Sequence, residues 1–294
     1  YDRTLAGKFG ELFGGTYVGS HPTPEHNQYM VVRYDFSAMV MADDMEELEK
    51  NFNILNCGPA EIMVTHNRDV FGDFQFTTRG NAAQMLEEAL SYAREHDLPK
   101  VYILIDEYDN FTNQLLTSYN DPLYEKVTTR DSFLRTFFKV IKKGIGEGSI
   151  RTCFCTGVLP VTMDDLTSGF NIGTNYSLSS KFNQMMGFTE AEVREMLAYY
   201  STKISFNHTI DELIGLMKPW YDNYCFAQEC YGETTLYNSN MVLYFVKNYI
   251  DNNGRVPRNM IESNIRIDYE KLRMLIRKDK EFAHDASAIQ TLVS

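Results

Sequence analysis

The sequence predicts an α/β fold, with a parallel sheet flanked by helices over residues 1–180 and a mainly helical subdomain over 181–294. Three observations predict it. Short β-prone runs at Met30–Phe36, Val101–Ile105 and Ile150–Cys155 alternate with helix-periodic stretches up to about residue 160, the order that builds parallel strands with right-handed crossovers. The run Val101-Tyr102-Ile103-Leu104-Ile105 is continuously apolar, which reads as a strand buried on both faces. After residue 180 only helical periodicity remains.

Each element has its own reason. Tyr1–Thr16 reads as a short amphipathic helix with Leu5, Phe9, Leu12 and Phe13 near one face, stopped by Gly14-Gly15. Gly19–Gln28, with two prolines, is a loop, and Met30–Phe36 a strand. Asp43 is placed to cap a helix with Met45, Leu48 and Phe52 on one stripe, and Asn81 a helix with Ala82, Leu86, Ala89, Leu90 and Ala93 in register. Gly72–Gly80 reads as a turn region and Thr117–Arg130, with Pro122, as a polar loop. Asp131 is expected to cap an apolar helix through Phe133, Leu134, Phe137, Phe138 and Ile141, ended by Gly144, Gly146 and Gly148. Thr162–Ser180 is a long loop rich in small polar residues, of a length often functional. Thr189 and Glu192 form a capping box, with Phe188 stapling onto Val193. Further helices are expected at 210–219, 238–251, 257–265 and 268–281.

Composition narrows the function classes. The 294 residues are 44% hydrophobic and 23% charged, ordinary for globular protein, and the net charge of −12 disfavours a broad basic nucleic-acid surface. No apolar run approaches a membrane span. The start, Tyr1-Asp2-Arg3-Thr4, reads as that of a fragment or processed chain. Five scattered cysteines argue against a disulfide framework. Cys153 and Cys155 share one strand face and read as buried free thiols, and Cys225 and Cys230 lack a second ligand pair for zinc. Lys271, Arg273, Arg277, Lys278 and Lys280 read as the solvated face of a helix, and Trp220, Tyr221, Tyr224 and Phe226 as packing between subdomains.

The chemistry concentrates where strands end. Asp106-Glu107 closes the apolar run, at the carboxyl edge where open α/β sheets bind ligands. A strand ending in paired carboxylates is what a P-loop nucleoside triphosphatase needs at its Walker B position: the first carboxylate helps hold Mg²⁺ and the second polarises a water aimed at the γ-phosphate. Thr156, after the next strand, offers a hydroxyl that donates and accepts. It suits a polar sensor beside the attacking water, or a cap on the following turn.

Several collinear segments carry a resemblance. Phe13–Gly19, Val32–Ser37, Leu104–Asp109, Thr156–Ile172, Gly187–Thr189, Trp220–Phe226 and Leu236–Asn238 resemble the AAA-ATPase-like family. That resemblance implies a P-loop NTPase-type sheet, often followed by a PD-(D/E)XK nuclease-like domain. It implies catalytic roles for Glu107 and Thr156, nucleotide-side binding by Asp106, and Mg²⁺ held by Asp106 through water. An arginine finger is sought among Arg130, Arg135, Arg151 and Arg194, and Asp109 is as suited to capping as to function. The family's phosphate-binding segment, resembling Arg-Arg-Phe-Gly-Lys-Ser, is expected ahead of Tyr1. Ala6-Gly7-Lys8-Phe9 lacks the spacing, the Ser/Thr and the preceding strand of a P-loop. The expectation is thus an ATP-binding, Mg²⁺-dependent ATPase of which this chain supplies part of the site. The alternative is a non-hydrolysing scaffold that positions a nuclease-like or partner domain. ATP, a homo-oligomer and a nuclease-like domain of the parent chain are the expected partners, nucleic acid is left open, no membrane is expected, and the expected location is the cytoplasm.

Overall fold

Three parallel strands carry the first half of the chain: β1 (Met30–Asp35), β2 (Val101–Asp106) and β3 (Ile150–Cys155), in spatial order β1-β2-β3. This is a computed structural model describing residues 1–117, 121–128, 132–157 and 173–262. The register aligns Val32 with Ile103 and Cys153, Tyr34 with Ile105 and Cys155, and Asp35 with Asp106. An irregularity between Val101 and Tyr102 sets Arg151 out of register at the start of β3.

Each connection steps one strand in the same direction, so right-handed crossovers put the connecting helices on one face. That face holds Met30, Val32, Tyr34, Val101, Ile103 and Ile105, packed in one cluster with Leu48 and Phe52 of the Met45–His66 helix, Leu86 and Ala89 of Ala82–Glu95, and Phe137 and Ile141 of Phe133–Gly146. The opposite row is only partly covered: Tyr102 and Leu104 are half-buried, Arg33 and Asp35 exposed, and Phe154 half exposed. β2 is therefore not buried on both faces as its composition suggests. Its burial alternates with period two, because among the described residues the helices cover one side.

Local chemistry moves several expected boundaries. Asp44, not Asp43, caps the Met45–His66 helix by accepting the Glu47 N–H, and Ser132 caps Phe133–Gly146 by accepting the Arg135 N–H; Asp131 lies outside the described residues. Asn81 caps as expected. The loop expected over 117–130 contains a helix, Asp121–Thr128. Pro122 sits in its first turn, where the missing N–H has no intrahelical partner to lose, and Leu123 and Val127, four apart, are buried. The segment expected as one amphipathic helix is a 3₁₀ helix at Arg3–Lys8 and two short helical turns, Phe9–Phe13 and Tyr17–Ser20, none with a buried residue. Gly7, Gly10, Gly14 and Gly15 weaken any continuous helix there.

The chain divides into two compact units, Tyr1–Gly173 and Thr174–Ser294. In the second, the helices Glu190–Ser201, Ile210–Tyr221 and Ser239–Asp251 bury Val193, Leu197, Leu213, Met217, Tyr221, Val242, Phe245 and Tyr249 in one core. The first two open on capping boxes, Thr189/Glu192 and Thr209/Glu212. No helix forms over 257–262. Tyr221 donates its hydroxyl to the Met260 carbonyl and Tyr244 to that of Asn259. The remainder of that expected helix, the helix at 268–281 and the basic run Lys271–Lys280 lie outside the described residues, as does the loop at 162–172. Of the expected aromatic packing group only Tyr221 is buried; Trp220, Tyr224 and Phe226 are exposed.

Candidate functional site

The carboxyl edge of the sheet brings together residues from all three strands. Asp106 ends β2 beside its pairing partner Asp35. Thr156 continues β3 by donating its N–H to the Ile105 carbonyl, and its own carbonyl accepts the Tyr108 N–H. This pairing sets the Thr156 hydroxyl to donate to Asp106 Oδ1 at 2.6 Å. Arg33 Nη2 donates to the other oxygen, Oδ2, at 3.3 Å and lies 4.0 Å from Asp35. Arg33 and Asp106 share a sheet face on adjacent strands at a diagonal offset, a spacing long side chains reach across. The Asp106 side chain is 46% exposed, so the group stays open to solvent.

Glu107 leaves β2 with φ +55°, the left-handed region that a β-carbon disfavours. Its carbonyl accepts the Asn110 N–H, starting the Asn110–Thr117 helix. Asn110 Nδ2 then donates to the Ser37 carbonyl, tying the exit of β2 to that of β1. Asp109 is fully buried and accepts from Asn113 Nδ2 at 2.8 Å. Gly157 is pressed against Tyr108 and Asp109: a β-carbon there would come within 2.5 Å of Tyr108 Cε1 and closer to Asp109 Oδ1. Hydrogen bonds from the Ser37 hydroxyl and N–H hold the Asp35 carboxyl below the usual carboxylate range.

The expected residues Asp106 and Thr156 thus meet directly, and Glu107 is the next residue along the same edge. The arginine expectations fare differently. Arg135 is buried in its helix. Arg151 pairs with Glu25 at the opposite end of β3. Arg194, in the second unit, is held by Glu190 and Asp211, and Arg130 lies outside the described residues. Among the described residues the arginine at the site is Arg33, which sequence reasoning missed. Its signal was its position two residues before Asp35 on a strand, visible only once the β1–β2 register is known. Ala6, Gly7 and Lys8 lie in a 3₁₀ helix.

Among the described residues no three His, Cys, Asp or Glu side chains gather as a metal cage. Mg²⁺ does not demand one: it usually takes one or two carboxylates and completes its shell with water and phosphate oxygens. Asp106 with a neighbouring hydroxyl at an open edge fits that requirement. Among the described residues no helix is long and apolar enough to cross a membrane.

The class is an α/β protein with a polar site at the carboxyl edge of its sheet. A family model described as AAA-ATPase-like, Predicted AAA-ATPase, matches residues 1–167, and the chain belongs to that family. It is also similar to an uncharacterised protein in the vnfD 5′ region of Azotobacter chroococcum mcd 1, 26% identical over 224 residues, 75% of this chain and 37% of that protein. The chain therefore spans little more than a third of that relative's length. No solved structure matches.

Proposed function

We propose that this chain supplies the metal and water side of an ATP·Mg²⁺ site in a protein that hydrolyses ATP. The observation that supports it most is the hydrogen bond from Thr156 to Asp106 across the ends of adjacent parallel strands, at the edge where α/β sheets bind ligands. Asp106 would hold Mg²⁺ through water. Glu107 would orient the attacking water and accept its proton, and Thr156 would fix the rotamer of Asp106 and report on the γ-phosphate. When bound, the metal supplies charge neutralisation for the developing phosphate oxygens.

In that parent, Glu107→Gln should retain ATP binding by calorimetry and cut turnover by about 10²–10⁴-fold, the usual worth of a positioned base. Turnover equal to the unaltered protein would remove Glu107 from the role. Arg33 supports a second reading. Its guanidinium sits on Asp106 where a cation would otherwise be balanced, as suits a non-hydrolysing scaffold that arranges a nuclease-like or partner domain. Binding of ATP without turnover in the unaltered parent would favour this reading.

A further inference from the structure

β3 carries a second piece of chemistry beside the polar edge. Cys153 and Cys155 stand two residues apart on an extended strand, on the face that packs toward the core, with their sulfurs 3.6 Å apart. Both are partly exposed rather than fully buried. The other three cysteines, Cys57, Cys225 and Cys230, are free as well, and none of them forms a thiol–thiol contact among the described residues. Cys155 directly precedes Thr156, whose N–H and hydroxyl tie β3 to Ile105 and Asp106.

We propose that Cys153 and Cys155 are an oxidation site: a peroxide converts them to a disulfide, and closing that bond displaces Thr156 from Asp106. Hydrogen peroxide transfers one oxygen to the Cys155 sulfur; its O–O bond breaks, and water leaves with the thiol proton. The Cys153 sulfur then attacks the resulting sulfenic sulfur. The S–S bond forms, and the hydroxyl departs with the Cys153 proton as a second water. Two thiols are oxidised and one peroxide is reduced to two waters. The hydrogen bond shared with Cys155, and then burial, raise the Cys153 thiol; since the thiolate is the nucleophile, Cys153 is not the thiol that meets peroxide first.

The mechanical consequence follows from strand geometry. Two residues of extended chain span about 6.6 Å, near the upper limit of Cα separation for a disulfide. The sulfurs must also approach from 3.6 Å to about 2.0 Å. Closing the bond puckers the strand at Phe154, two residues before Thr156, and so strains the Thr156 pairing with Ile105 and Asp106.

The test is peroxide titration of the reduced chain, read by peptide mapping and by amide hydrogen exchange. The expected result is loss of two of the five thiols and a link inside the peptide that carries both residues. Exchange at Thr156 and Tyr108 should become about ten-fold faster and recover with dithiothreitol. In Cys153→Ser a sulfenic acid at position 155 should persist long enough to be trapped by a carbon nucleophile. A link from either residue to Cys57, or survival of both thiols while the others oxidise, overturns the site. A 153–155 link with unchanged exchange at Thr156 and Tyr108 overturns the coupling to Asp106. Mapping and exchange on the unaltered chain decide both points even if the variant fails to fold.

Discussion

The two faces of the three-stranded sheet differ by one residue of offset and do opposite work. On one, Val32, Ile103, Tyr34 and Ile105 lie under the helices with essentially no exposure. On the other, Arg33, Asp35 and Asp106 form a solvent-open polar group, with Leu104 and Phe154 only partly covered beside them. Because strand side chains alternate, one six-residue strand supplies core and site together. The lesson is that stability and chemistry should separate by residue parity: even neighbours such as Ile103 and Leu104 belong to different economies of water.

That separation can be broken at its strongest point first. Ile103→Ala should cost about 2–5 kcal/mol in denaturant unfolding, and Leu104→Ala about 1 kcal/mol or less. Equal losses would mean that the second face is covered in solution. At the edge, Gly157→Ala forces a methyl group onto Tyr108 and Asp109, and a thermal melt should register a loss of about 1–3 kcal/mol. Within the covered face, the Tyr34 hydroxyl is buried without a hydrogen-bond partner among the described residues, so Tyr34→Phe should raise stability by about 1 kcal/mol; a loss would reveal a partner for that hydroxyl.

The smallest effects belong to the open face. Arg33 and Asp106 are both well exposed, so Arg33→Ala should change stability by no more than about 1 kcal/mol. Asp35 sharpens the same point through pH. Its folded-state carboxyl is held below the usual range by Ser37. Its contribution is complete above the unfolded value and fades as pH falls through the folded one. NMR titration should place the Asp35 midpoint below an ordinary aspartate, and Ser37→Ala should move it upward.

The same parity explains what was legible beforehand. Asp106 and Thr156 could be placed at the sheet's edge because each closes a β-prone strand run, a one-dimensional signal. Arg33 could not: its meaning depends on which β2 residue lies diagonally opposite, and pairing register is not written in composition. The covered strand was recognised, but its second face was misjudged, since Leu104 looks the same in sequence whether helices cover one side or two. Pro122 misled as a loop marker because a proline in a helix's first turn has no intrahelical N–H bond to lose. The segment 257–262, expected as helix, is instead held in tertiary contacts, the hydroxyls of Tyr221 and Tyr244 donating to the Met260 and Asn259 carbonyls.

The backbone at Glu107 carries one more consequence. Its positive φ is a conformation where glycine or asparagine would rest more easily. A sequence shaped for thermal robustness alone would place one of them there. A glutamate instead leaves the chain with a small standing deficit, roughly 1 kcal/mol, confined to the turn that follows the polar edge. Thermostabilising this protein by relaxing that turn would therefore set robustness against whatever the carboxylate contributes, while the helix-covered face offers the same gain without that conflict.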